Sequence, residues 1–85
     1  MKLIETSKFK KLRKKLKEEN EKKALKLAIK KIIQNPKSGK RLKGEFKDLI
    51  SFRYSVKGQS RRLIYKLESE TIILFSFGPR EEIYQ

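Results

Sequence analysis

The apolar residues of this chain change their spacing near Leu49, and that change limits the folds open to it. Before Leu49 they recur at helical intervals. After it they fall first on every second residue and then in denser runs, separated by tight turns. Phe52, Tyr54 and Val56 alternate with Ser51, Arg53, Ser55 and Lys57, as a strand with one apolar and one charged face requires. Lys57 to Ser60 turns the chain, Arg62 to Leu67 reads as the next strand, and Glu68-Ser69-Glu70 turns it again. Thr71 to Phe77 is almost continuously apolar, which suits a central strand covered on both faces, and Gly78-Pro79 ends it.

Upstream, Lys2 to Thr6 has the makings of a first strand, and Ser7 offers a hydroxyl for a helix N-cap. Phe9, Leu12 and Leu16 form one helical stripe. Leu25, Ala28, Ile29, Ile32 and Ile33 form a second, which stops at Asn35-Pro36. Between the stripes, Glu18 to Glu21 carries no apolar residue and marks a turn. A single long helix would leave both stripes short of a partner, whereas a hairpin lays both on one sheet. Pro36 to Gly39 reads as a loop and Lys43-Gly44 as a turn. The expectation is one α+β domain over residues 1–85, ordered β-α-α-β-β-β. In it, the two-helix hairpin packs on one face of a small twisted, mostly antiparallel four-stranded sheet.

Composition narrows the chemistry. The chain has 85 residues, no histidine and no cysteine, so its core rests on packing, without disulfides or thiolate metal sites. Its formal net charge is +14, which points to a polyanionic partner: RNA, DNA or an acidic protein. Lysine-rich solubility is the plainer reading of the same charge. Glu5, Asp48 and the other carboxylates lack metal-ligand spacing, so neither a metal nor a cofactor is expected. No apolar run approaches the ~20 residues of a membrane span. The amino terminus lacks the pattern of a secretory signal, so a cytoplasmic location is expected. Chemistry on a nucleic acid would fall to arginine, lysine and tyrosine.

Four stretches keep a characteristic order: Arg41-Leu42-Lys43-Gly44, Arg62-Leu63-Ile64-Tyr65-Lys66, Ile73 to Glu81 with its Gly78-Pro79-Arg80, and Ile83-Tyr84. Together they resemble the RelE/ParE superfamily of toxin–antitoxin toxins, across the whole chain in topology and roughly its second half in residues. The resemblance to the RelE-like branch implies a metal-independent endoribonuclease that cleaves messenger RNA at the ribosome. It also implies neutralisation by an acidic, RelB-like antitoxin in a hetero-oligomer. By motif match, Arg62 and Arg80 would clamp the phosphate and its transition state, with Tyr84 stacking on substrate or moving a proton. Arg53, Lys57, Arg61 and Lys43 are the expected RNA-binding set, with Arg53 and Lys57 sharing one polar strand face. The family's lysine pair does not align cleanly with the Val56 to Ser60 turn, so the general base is left open.

Each residue also has a plainer reading. Arg62 could pair with Glu68 or Glu70, Arg80 with Glu81 or Glu82, and Tyr84 could simply anchor the tail. Tyr54 and Tyr65 read as core residues by their alternation with apolar neighbours. The lysines from Lys10 to Lys17 are either a solvated helix face or a track for ribosomal RNA phosphates. Two functional alternatives stand beside the nuclease. One is a ParE-like poison of DNA gyrase that cuts no RNA, and the other is an inert nucleic-acid-binding module.

Overall fold

The computed structural model describes residues 1–79. Strand β1 (Lys2–Glu5) leads into helix α1 (Ser7–Lys15) and, after a three-residue link, helix α2 (Glu19–Gln34). Four strands follow: β2 (Lys40–Arg41), β3 (Ile50–Val56), β4 (Gln59–Glu68) and β5 (Thr71–Gly78). A short 3-10 turn at Gly44–Phe46 lies between β2 and β3. The sheet order is β1-β5-β4-β3-β2. All neighbours are antiparallel except β1 and β5, which run parallel. The α+β class and the helical hairpin are as expected, but there are five strands. The extra one is β2, two residues long, and so short a pairing leaves no periodicity to read.

The helices start differently from the sequence reading. Thr6, not Ser7, caps α1: its hydroxyl accepts from the Phe9 amide at 3.2 Å and donates to the Leu74 carbonyl at 2.9 Å. One side chain thus closes the helix end and ties it to β5. Helix α2 begins inside the acidic stretch, at Glu19, where Glu19 and Glu21 meet the positive end of the helix dipole. It ends at Asn35, the residue before Pro36.

The core lies between the helices and one face of the sheet. Phe9, Leu25, Ala28 and Ile32 from the helices meet Ile50, Leu63, Tyr65, Ile72, Leu74 and Phe77 from the strands. Phe9 and Phe77 pack edge to face, 5.2 Å between ring centres. A bulge lets this face persist along β5. Ile64 pairs with Ser76 but Tyr65 with Leu74, so Phe75 is the extra residue. Before the bulge Ile72 and Leu74 point to the helices; after it Phe77 does. β5 has a strand neighbour on each side, but the middle of the sheet is β4, and the helices cover only one face of β5.

The other face is divided. Towards β1 it carries the apolar side chains of Ile4 and Ile73, which are register partners. Towards β2 it carries charge. Among the described residues, no helix is long and apolar enough to cross a membrane.

Candidate nucleic-acid interface

The charged half of the open face is set by strand register. Arg53 on β3 stands directly opposite Arg62 on β4. Two residues along, Ser51 stands between Ile64 of β4 and Lys40 of β2. Cross-strand partners project to the same side of a sheet, so Lys40, Ser51, Arg53 and Arg62 share one surface. With Ser38 and Gly39 they line a concavity of about 420 Å³.

Its wall is a loop held tightly to the sheet. The Tyr65 hydroxyl donates to the Pro36 carbonyl at 2.7 Å, from a ring that is fully buried. Gly39 then passes so close that a Cβ there would fall 2.5 Å from Ile50 Cγ2 and 3.0 Å from Tyr65 Oη. Only glycine permits that approach. The next residue is Lys40, which the loop delivers to the concavity's edge.

Two arginines facing each other cost stability unless something offsets them. Among the described residues no carboxylate pairs with Lys40, Arg53 or Arg62. The Arg62 Nη1 group donates instead to the buried hydroxyl of Ser51, at 3.1 Å. Neither Glu68 nor Glu70 takes it; Glu68 pairs with Lys66 at 3.4 Å. Among the described residues the lining, which also includes Phe52, holds cations and hydroxyls and no carboxylate, a donor set suited to an anion.

The other expected RNA-binding residues are elsewhere. Strand β3 ends at Val56, and Lys57 and Gly58, with φ of 52° and 80°, form the two-residue hairpin turn. The alternation therefore stops before Lys57, which leaves the face of Arg53 and pairs with Glu18 at 2.6 Å. Hydrogen bonding to Lys57 holds the Glu18 carboxyl below the usual carboxylate range. Arg61 points to the helix side, where Nη2 meets Glu21 at 3.1 Å and Nη1 donates to the Ser60 carbonyl. Lys43 is exposed just before the 3-10 turn and does not line the concavity. Arg80 and Tyr84 lie outside the described residues. Lys40 escaped the sequence reading, because a two-residue strand gives no signal of which face its residues take.

Tyr54 and Tyr65 are packed on the helix side, as their alternation suggests. Burial pushes both phenols up from their ordinary pKa, and Glu21 raises Tyr54 further. Both therefore stay protonated at neutral pH, which disfavours either as a general base.

Residues 3–85 match the family described as the ParE-like toxin of type II bacterial toxin–antitoxin systems. The chain belongs to that toxin family. Solved structures share the toxin's fold. The toxin aligns with the intact E. coli RelBE toxin–antitoxin complex at a TM-score of 0.73 and 18% identity, covering 95% of this chain and 98% of that one. With the isolated E. coli RelE toxin the TM-score is 0.72 and the identity 21%, over 98% and 89% of the two chains. A copper-bound mutant toxin from Helicobacter pylori aligns at 0.65 and 20% identity, over 98% of each chain. No curated protein matches the toxin's sequence. At these identities the solved structures speak for the RelE-like fold alone.

Proposed function

We propose that the toxin is a ribonuclease whose open-face groove grips an RNA phosphodiester, and that it arrests translation by cutting messenger RNA at the ribosome. The observation that carries this is the convergence of Lys40, Arg53 and Arg62 on one hydroxyl-lined concavity, with no carboxylate of the described residues compensating them. In the reaction the ribose 2′-oxygen attacks the adjacent phosphorus and the bond to the 5′-oxygen breaks. A 2′,3′-cyclic phosphate and a 5′-hydroxyl result. One proton leaves the 2′-hydroxyl and another is delivered to the departing oxygen. Arg62 and Arg53 suit the intervening step, since a guanidinium donates paired hydrogen bonds to phosphate oxygens and keeps its charge. The need for a 2′-hydroxyl selects RNA over DNA.

Arg80 and Tyr84 complete the proposed machinery. Gly78 is the register partner of Arg62, and Arg80 follows it by two residues. Tyr84 is assigned stacking or proton transfer. Lys43 is assigned to backbone contacts outside the groove, whereas Arg61 and Lys57 would have to exchange a carboxylate for a phosphate. An antitoxin, as in the E. coli RelBE toxin–antitoxin complex, is the proposed neutralising partner, and the charge of +14 favours an acidic one.

The ParE name of the matching family favours a second reading, inhibition of DNA gyrase without RNA cleavage. The two separate cleanly. Induced without a partner, the toxin should arrest translation and leave messenger fragments ending in cyclic phosphate. Cleavage should survive EDTA, and Arg62→Ala should abolish both effects. A loss of gyrase supercoiling with intact messenger would overturn the nuclease in favour of the gyrase poison. Full toxicity in Arg62→Ala would remove the groove from the mechanism.

A further inference from the structure

We propose that Ser51 is a positioning residue: its buried hydroxyl tethers the Arg62 guanidinium inside the groove and presents the remaining donors to phosphate. This rests on the ribonuclease reading for its effect on rate, but the tether itself does not.

Register explains why a tether is needed. The direct partner of Arg62 on β3 is Arg53, and Lys40 stands opposite Ser51 on the next strand. A free guanidinium would be pushed outward by both charges. The Arg62 head instead reaches diagonally across β3 to Ser51, whose residue is only 3% exposed. That hydroxyl accepts at 3.1 Å and, being neutral, adds no charge to the site. A carboxylate there would hold Arg62 more firmly but would cancel the field that attracts phosphate. Of the five N–H donors of a guanidinium, the bond to Ser51 uses one. Among the described residues the pair on Nε and Nη2 has no other partner, which suits a forked contact with two phosphate oxygens. A hydroxyl held away from water is costly without a partner, so Ser51 and Arg62 satisfy each other.

The same sheet face supplies a control. Ser76 is also buried, at 4% exposed, and flanks Ile64 from the other side. It does not line the groove. Removing its hydroxyl tests the loss of a buried serine without touching Arg62.

The experiment compares the parent with Ser51→Ala, Ser51→Thr and Ser76→Ala in the full chain. The Arg62 guanidinium signals, assigned by their loss in Arg62→Ala, should show hindered rotation in the parent by nitrogen-detected NMR. Ser51→Ala should free that rotation and Ser51→Thr should restore it. Single-turnover cleavage should fall about 10- to 100-fold in Ser51→Ala, the scale of a small misplacement of a transition-state group. Affinity for an oligonucleotide with deoxyribose at the scissile position should change by less than about threefold, which separates rate from binding. Ser76→Ala should cleave like the parent. Unchanged Arg62 rotation in Ser51→Ala overturns the tether. Cleavage by Ser51→Ala within about twofold of the parent overturns its role in rate. A parent that cuts no RNA defeats the nuclease reading, and the NMR comparison still decides the tether.

Discussion

Tyr54 shows how a single buried atom makes this protein testable. Among the described residues its hydroxyl is enclosed with no hydrogen-bond partner. Replacing it with phenylalanine keeps the ring and removes the unpaired group, so Tyr54→Phe should be neutral or stabilising by about 1 kcal/mol in urea denaturation. The pH dependence has a definite sign. Burial raises the folded phenol above its ordinary value of 10.0, so above that pH the unfolded chain releases a proton that the folded chain keeps. Stability should be intact below pH 10 and fall as pH rises beyond it, and Tyr54→Phe should lessen that fall relative to the parent. Gly39 offers the opposite test. A methyl group there would meet Ile50 and the Tyr65 hydroxyl, and Gly39→Ala should cost about 1–3 kcal/mol by the same assay. The sequence could place Tyr54 and Tyr65 in the core by alternation alone. It could not place Gly39, because a close approach across 26 residues leaves no mark in a local pattern.

Elements with several periods were readable and short ones were not. The β3–β4–β5 meander followed from alternation broken at Lys57-Gly58 and Ser69-Glu70, and each break is a turn with a positive φ. β2 has two residues and no period, so both the fifth strand and the side taken by Lys40 were invisible. The sequence reading puts the cap of α1 one residue late, at Ser7, because Thr6 and Ser7 are adjacent hydroxyl residues; the bonds to the Phe9 amide and the Leu74 carbonyl assign it to Thr6. Thr6→Ala should lower stability by about 1 kcal/mol and Ser7→Ala by much less, measured by thermal unfolding. Equal effects would remove Thr6 from the cap. Likewise Lys57 read as part of the charged strand face and Arg61 as an RNA contact, yet the tight turn and the register give them to Glu18 and Glu21. An excess of 24 basic over 10 acidic residues conceals which cations are already engaged.

At the scale of the whole molecule, a charge of +14 will bind any polyanion, so affinity alone says little about the groove. Salt dependence says more. Each phosphate contact on single-stranded RNA contributes about −0.7 to the slope of log K against log salt. Lys40→Ala should therefore make that slope shallower by about 0.7, whereas Lys57→Ala, whose ammonium already faces Glu18, should change it far less. Equal changes would show that bulk charge, not the groove, governs binding. The parallel pairing of β1 with β5 has a further consequence. Lys2 has Thr71 as its register partner, so β1 waits for a strand made nearly seventy residues later. Gly78, opposite Arg62, is later still. A nascent copy therefore cannot close its sheet, or set Gly78 beside Arg62, before β5 has been made.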